Sequence, residues 1–142
     1  MVDLNGEYRH KVDAKGRLSL PAKFRKVLQG DLVVTLSPSS DCLYVFQEED
    51  FNNWVQDFFE QDGGFNPRNK DHVNLRRVLK ARAFGADIDG SGRINIPAGQ
   101  RADAGIDKDV ALVGNTGYFE IWDASSWDEQ NASIDVAALY FN

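Results

Sequence analysis

Apolar and polar residues alternate over short stretches of the chain, beginning close to its N-terminus. Between residues 8 and 12, larger side chains alternate with Arg9 and Lys11, which is the period of two expected of a strand with a basic outer face. The same period, or a β-branched run, recurs farther along. It predicts eight short strands: 8–12, 18–20, 32–36, 43–46, 86–88, 93–96, 110–113 and 118–122.

Spacings of three and four residues predict helices between these strands. The clearest case is an apolar stripe that predicts the buried face of a helix ending near residue 60, and it consists of Phe51, Trp54, Val55, Phe58 and Phe59. A second long helix is predicted at 69–83. Its inward residues are predicted to be Val73, Leu75, Val78 and Leu79, with basic residues outward. Shorter helices are predicted after Pro21, after Pro97 and around Trp127, where Asp123 or Ser125 can cap.

A thirteen-residue pattern occurs twice in this layout. Asp13–Arg25 reads DAKGRLSLPAKFR, and Asp89–Arg101 reads DGSGRINIPAGQR, 76 positions later. Both copies contain Asp-x-x-Gly-Arg, alternating apolar residues, Pro-Ala and a basic residue four positions after the proline. The chain therefore contains an internal repeat.

The similarity extends beyond this motif. With the same shift of 76 and no gap from Tyr8 to Phe51, Val34 falls on Val110 and Leu36 falls on Leu112. We interpret this as a tandem duplication. Since each copy has only roughly 50 residues, it would bury too little surface to be stable alone, and the two copies are expected to complete one core together.

Each motif begins with a predicted turn. The carboxylates of Asp13 and Asp89 can accept backbone N–H groups, and Gly16 and Gly92 can take a positive φ without steric cost. These four residues are predicted to have structural roles in the two turns.

The charge is unevenly distributed along the chain. The net charge is −6, but residues 9–26 contain seven basic residues and one acid, whereas residues 85–102 are neutral. Residues 68–82 contain six basic residues and one acid, and from residue 103 to the end there are eight acids and one lysine. A local positive stretch can form a binding face even on an acidic protein. For 68–82, a merely solvated face is an equally good interpretation.

Several functional classes lack support in the sequence. We find no Ser/His/Asp or Cys/His constellation and no phosphate-binding loop, and DGSGR is too short for a dinucleotide fingerprint. We therefore expect no catalytic residues, no cofactor, no small-molecule substrate and no metal. His10 and His72 lie far apart, and Cys42 is the single cysteine, which excludes an intrachain disulfide and favours a cytoplasmic protein. No apolar run approaches the length of a membrane span.

The order of these elements resembles a known family. Strand, DxxGR turn, strand, proline-opened helix and hairpin resemble the AbrB/SpoVT-type swapped-hairpin module. Two copies separated by a helix reading EEDFNNW, with FEIW near the end, resemble the MraZ family of transcriptional regulators. The resemblance covers residues 6–127.

The resemblance implies a fold and a function. The fold would be α+β, mainly β, with both repeats interleaved into one swapped-hairpin, double-psi-like β-barrel with peripheral helices. The function would be that of a regulator, in most cases a repressor, of the division and cell-wall gene cluster. It would bind short direct repeats of double-stranded DNA upstream of its own operon as a ring-shaped homo-oligomer, in the cytoplasm and at the nucleoid.

The resemblance assigns the DNA contact to Arg17 and places Lys15 in the binding loop. Independently, the planar fork of an arginine suits guanine or phosphate, and a lysine on a turn tip suits phosphate. Arg9 and Lys11 could extend this positive face, and Arg93 is the second-copy counterpart of Arg17. An ion pair with Asp13 is the alternative role for Arg17.

The two copies differ in charge. Lys11 becomes Asp87 and Lys15 becomes Ser91 in the second copy. We therefore expect the first repeat to supply most of the DNA affinity, and the second repeat to complete the barrel and the subunit contacts.

The predicted division of the chain is a first repeat at 6–52, linker helices at 53–82, a second repeat at 83–128 and a tail at 129–142. The tail contains apolar residues without predicted partners, which indicates docking on this chain or on a neighbour. A non-enzymatic protein-interaction scaffold of the AbrB or antitoxin type is the alternative function.

Overall fold

The computed structural model describes residues 1–142 and contains eight strands and six helices. The strands are β1 (Glu7–Lys11), β2 (Arg17–Ser19), β3 (Asp31–Leu36), β4 (Leu43–Gln47), β5 (Phe84–Asp87), β6 (Arg93–Asn95), β7 (Asp109–Gly114) and β8 (Phe119–Asp123). The helices are α1 (Ala22–Val27), α2 (Glu48–Glu60), α3 (Lys70–Arg82), α4 (Ala98–Asp103), α5 (Ala124–Ala132) and α6 (Val136–Tyr140). The predicted α+β, mainly β, class is confirmed.

The strands of the two repeats pair with one another. A six-stranded sheet has the order β1-β7-β8-β4-β3-β5, and β2 and β6 form a separate two-stranded ribbon. Antiparallel pairing places β1 beside β7, β5 beside β3, and β4 beside β8. The repeats are therefore interleaved. The hydrogen-bonded ladders leave β1 and β5 as edge strands, so this pairing does not by itself make a closed barrel.

A quasi-twofold axis relates the two repeats. In the ribbon, Leu18 lies opposite Ile94, and in the sheet Tyr44 lies opposite Glu120. Each pair joins two positions that differ by the repeat shift of 76. The axis therefore passes through both the ribbon and the centre of the sheet.

The gapless alignment of the repeats is wrong in one strand. Leu32 pairs with Gln47 in the first hairpin, and Val110 pairs with Asp123 in the second. Since Gln47 and Asp123 differ by 76, the structural counterpart of Val110 is Leu32, two residues before the predicted Val34.

Loop lengths explain this offset. Three residues, 28–30, connect α1 to β3, whereas five, 104–108, connect α4 to β7. The hairpin loops compensate, with six residues at 37–42 and four at 115–118. Because side chains alternate with a period of two, a two-residue shift keeps the same faces inward. The two-residue offset therefore could not be recognised from the pattern of apolar residues in the sequence.

The main hydrophobic core lies between the sheet and the ribbon and draws on both repeats. Leu18 and Ile94 enter it from the ribbon, and Phe24 of α1 contacts the rings of Tyr8 and Phe119, with centroid distances of 5.2 and 5.1 Å. Neither repeat could bury these side chains alone, in agreement with the expectation of a shared core.

A second cluster covers the outer side of the first hairpin. Phe51, Val55 and Phe59 of α2 are buried there with Phe46 and Leu79. Phe58 is 37% exposed, so the predicted apolar stripe of α2 is only partly internal.

The predicted inward face of α3 is wrong in part. Leu79 is buried, but Leu75 and Val78 are 38% and 46% exposed, and the other buried residue is His72. The ring of His72 accepts the Asn66 N–H at Nδ1 and lies 2.8 Å from Asp62 through Nε2. These contacts with the preceding loop rotate α3 so that His72 and Leu79 face the core.

The C-terminal elements also depart from the prediction. Asp123 occupies the position before α5 without a side-chain capping bond, and it accepts the Asp107 N–H instead. The apolar residues of α6 are exposed rather than docked on this chain. No helix is both long enough and apolar enough to cross a membrane.

We predict that Phe24→Ala lowers the free energy of unfolding by about 3–5 kcal/mol, because a fully buried ring shared by both repeats leaves a cavity. Urea unfolding followed by circular dichroism measures this. Val27→Ala is the control, since Val27 lies on the same helix but is 41% exposed, and it should change the value by less than about 0.5 kcal/mol. Equal effects would contradict a core shared through α1.

Candidate nucleic-acid interface

The β2–β6 ribbon has one buried and one outward face. Leu18 and Ile94 point into the core with 0% and 1% exposure, whereas Arg17 and Arg93 are half-buried on the other side. In the antiparallel register Arg17 lies opposite Asn95, and Arg93 lies opposite Ser19. The outward face of the ribbon therefore brings the two motif arginines together on one short surface.

The first turn is held by the carboxylate of Asp13. Its Oδ1 accepts the backbone N–H groups of Lys15 and Arg17, both at 2.9 Å, and its Oδ2 accepts Nε–H of Arg17 at 2.8 Å. The backbone N–H of Arg17, followed by its side chain and by Lys15, lowers the pKa of Asp13. The carboxylate is thus held charged at the base of the turn.

The second turn repeats this geometry. Asp89 Oδ1 accepts the N–H groups of Ser91 and Arg93 at 2.8 and 3.0 Å, and these bonds, led by that from Arg93, lower the pKa of Asp89. The Nε of Arg93 lies farther from its carboxylate, at 3.4 Å from Oδ2. Gly16 and Gly92 have φ of 85° and 76°, the left-handed conformation that glycine tolerates.

The ion pair of Arg17 with Asp13, the predicted alternative to DNA contact, is present. It uses only Nε, however, and the guanidinium Nη groups make no hydrogen bond in the chain. An arginine has five N–H donors, so four remain at the outer end of the fork. The pair orients Arg17 without consuming its binding capacity.

The other predicted cations differ in their environment. Lys15, at the tip of the turn, has no ion pair, whereas Lys11 Nζ lies 3.7 Å from Asp109. Arg9 Nη2 contacts Glu7 at 3.0 Å and Asp128 at 2.7 Å, and its pKa is raised chiefly by Asp128. Lys15 and Arg17 are therefore the most available cations of the first turn, and Arg9 is the least.

Two further arginines lie at the turns, and neither was predicted as a site residue. Arg101 of α4 donates from Nε to Ile96 O at 3.1 Å, and its Nη2 lies 3.5 Å from the position of a Cβ on Gly16. Correspondingly, the guanidinium of Arg25 of α1 covers Gly92. The signal in the sequence was the basic residue repeated four positions after each proline.

Interleaving therefore exchanges charges between the repeats. Arg101 belongs to the second repeat but lies at the first turn, where it lines a cleft with Asp13, Ala14 and Lys108. Arg25 belongs to the first repeat but lies at the second turn. The arginines around each turn thus come from both repeats, although the exchange is one arginine for one.

This arrangement suits nucleic acid better than catalysis. A two-stranded ribbon fits the major groove of B-DNA, and an arginine fork can contact guanine O6 and N7 or a phosphate. No group of three or more His, Cys, Asp or Glu side chains is placed to hold a metal ion. Burial raises the pKa of the Cys42 thiol, which opposes a thiolate role.

Comparison with protein families gives a match in each half of the chain. The model of the family described as "MraZ protein, putative antitoxin-like" matches residues 4–71 and 79–138. The two matched segments contain the two turns and both strands of the ribbon.

Curated relatives are similar over most of their length. A transcriptional regulator MraZ from Thermoanaerobacter pseudethanolicus is 38% identical over 94% of this chain and 90% of its own. Proteins of the same name from Lachnoclostridium phytofermentans and Mycoplasmoides gallisepticum are 37% and 32% identical, each over 89% of this chain and 85% of their own. A transcriptional regulator is a non-enzymatic type of protein, which agrees with the prediction from the sequence.

We predict that Gly16→Ala destabilises the fold more than Gly30→Ala. Both glycines have positive φ, 85° and 71°, so an alanine at either costs about 1–2 kcal/mol. A Cβ on Gly16 would also lie 2.6 Å from the carbonyl oxygen of Ile96, whereas one on Gly30 meets nothing within 4 Å. The enforced backbone shift should add about 1–3 kcal/mol in urea unfolding. Equal losses would show that the two turns are not closely packed against each other's strands.

Proposed function

The chain belongs to the MraZ family, and from this premise we propose that it is a sequence-specific DNA-binding transcriptional regulator acting as a repressor. The surface that we assign to DNA is the outward face of the β2–β6 ribbon together with its two turns. The observation that carries this proposal is the pair of arginines on the outward face, whose Nη groups make no hydrogen bond within the chain. Nε of Arg17 donates a hydrogen bond to Asp13, and Nε of Arg93 lies 3.4 Å from Asp89.

Within this surface, we assign direct contacts to Arg17, Lys15 and Arg93. Arg17 and Arg93 are suited to base edges or phosphates as planar forks, and Lys15 is suited to a phosphate as a point charge. Lys11 would extend the surface at its margin. Arg9 would contribute least, since two carboxylates already neutralise it.

In this proposal the two repeats differ only in degree in what they contribute to DNA affinity. The first turn has Lys15 where the second has Ser91, which favours the first turn. Each turn also has one arginine from the other repeat, Arg101 at the first turn and Arg25 at the second, so the second turn still has two arginines. We therefore propose that both turns contact DNA and that the first contributes more.

Multivalent binding would reconcile DNA recognition with a net charge of −6. One ribbon presents few cations, and each neutralised phosphate contributes only about 0.9 to the salt slope. Several identical ribbons on a ring, meeting several direct repeats upstream of the operon for division and cell-wall genes, would gain through effective concentration. The acidic C-terminal third would face away from DNA, and the protein would act at the nucleoid.

A protein-interaction scaffold is the second candidate function, and the exposed apolar tail favours it. Val136, Leu139, Tyr140 and Phe141 are 66–82% exposed. A scaffold alone would show no salt-sensitive, sequence-dependent shift with upstream DNA, so a gel-shift titration separates the two functions.

We predict that Arg17→Ala weakens binding to upstream DNA by about tenfold or more, because a good arginine–base contact is worth about 1–3 kcal/mol. Arg93→Ala should cause a smaller but measurable loss. Fluorescence anisotropy at several salt concentrations measures both, and Arg68→Ala, which removes the same charge outside the ribbon, is the control. Equal losses from the two ribbon variants would contradict graded asymmetry, and no loss from Arg93→Ala would remove the second turn from the interface.

We also predict that reducing the DNA to a single repeat weakens binding far more than halving the number of repeats would, because the gain through effective concentration is lost. A titration with one-repeat and several-repeat duplexes of equal length tests this. Equal affinity for the two duplexes would contradict multivalent binding.

A further inference from the structure

The last helix of the chain has a coherent but uncovered apolar face. Val136, Leu139 and Tyr140 are 72%, 66% and 80% exposed, and their spacing places them on one side of α6. Asp135 caps the helix by accepting the Ala138 N–H at 3.1 Å. Since a five-residue helix is marginal in water, a partner surface that covers this face would stabilise the helix.

Comparison of the two repeats shows a difference around this helix. Helix α5 begins 76 residues after α2 and is therefore its counterpart. In the first repeat α3 follows α2 and packs against it, whereas in the second repeat α6 follows α5 and leaves its apolar residues exposed.

Helix α3 has a surface of complementary character. Leu75 and Val78 are three residues apart and 38% and 46% exposed on its outer side. None of the basic residues of α3, from Lys70 to Arg82, forms an ion pair within the chain. This surface therefore combines two exposed apolar side chains with unneutralised positive charge.

The tail has the opposite charge. From residue 109 to the end there is no lysine or arginine, and Glu129 and Asp135 lie in α5 and beside α6, whereas Asp128 is already paired with Arg9. Another exposed apolar site, a cavity of about 320 Å³ beside Trp54 and Phe58 on α2, is lined by Asp57 and would repel an acidic segment. Charge therefore selects α3 rather than α2.

The two surfaces lie over different halves of the sheet. Helix α5, which leads into α6, packs on β7 and β8, whereas α3 packs on β3 and α2. In the sheet order β1-β7-β8-β4-β3-β5 these are separate ends. Each copy consequently offers one tail and one α3 face, which is the arrangement of a head-to-tail contact that can close into a ring.

We propose that residues 133–142 of one copy dock on the Leu75–Val78 face of α3 of the next copy. Apolar contact would cover α6, and Asp135, the one acid of this segment, would lie near the basic residues of α3. This inference rests on the proposed ring assembly and identifies the surfaces that join its subunits.

The test uses two full-length variants with changes at exposed positions. The tail variant carries Leu139→Asp and Tyr140→Asp, and the α3 variant carries Leu75→Asp and Val78→Asp. Sedimentation velocity without DNA should show a multi-subunit wild type, whereas each variant alone should associate at least about tenfold more weakly. Circular dichroism and urea unfolding verify that both variants are folded.

Mixing the two variants supplies the decisive measurement. An equimolar mixture retains one intact tail and one intact α3 face, so it should form heterodimers and stop there. Variants that assemble like the wild type would overturn the inference while leaving the proposed ring intact. A monomeric wild type would instead contradict the ring itself, and the inference with it.

Two controls test whether the tail docks on α2 instead and whether DNA binds the basic face of α3. Phe58→Asp on α2 should leave assembly unchanged, and dissociation by this change would move the docking site to α2. On a one-repeat duplex the α3 variant should bind with the affinity and salt slope of the wild-type chain. A reduced slope would assign the basic face of α3 to DNA and overturn its assignment to the tail.

Discussion

The pairing of β2 with β6 is the constraint on which the other features of this chain depend. Three residue pairs join the two repeats in this ribbon, and the central pair, Leu18 with Ile94, closes the main core from above the sheet. Backbone bonds from Leu20 to Gly92 and from Ile96 to Gly16 then attach each turn to the end of the other repeat's strand. The proposed binding surface of two turns can thus form only when both repeats are folded together.

The same constraint determines which charged residues surround each turn. A basic stretch in the sequence suggests a basic surface at the same place, but here the helix after each ribbon strand crosses to the opposite turn. Arg25 therefore belongs to the surroundings of Gly92, and Arg101 belongs to those of Gly16. Lys15, by contrast, lies on the turn of its own repeat. The first turn therefore has a positive charge at the position where the second turn has the neutral Ser91.

Much of the fold could be predicted because it depends on local periods and on a duplication. The strands, α2 and both turns follow from alternation, helical spacing and the Asp-x-x-Gly pattern. The two-residue offset of β3 against β7 could not be predicted, since it preserves the inward faces. The orientation of α3 could not be predicted from the sequence either, because it depends on the contacts that His72 makes with Asp62 and Asn66.

The candidate site was predictable in its centre but not at its margins. Arg17 and Asp13 were visible in the motif, whereas the carboxylates that neutralise Arg9 come from Glu7 and from Asp128, 119 residues away. Pairing over such a distance leaves no periodic signal. The sequence therefore identifies which cations are candidates, and the fold decides which of them remain available.

The chemistry of the Asp–Arg pair explains how one residue can hold the turn and still have donors left for the proposed DNA contact. Nε of Arg17 donates to Asp13, while its Nη groups make no hydrogen bond within the chain. A lysine could not divide these tasks, because its single ammonium group would either pair with the carboxylate or leave it. Both repeats have arginine at this position, whereas the turn tip, which carries no such double role, is Lys15 in one repeat and Ser91 in the other. The structural role of the motif and its proposed binding role thus belong to two ends of the same side chain.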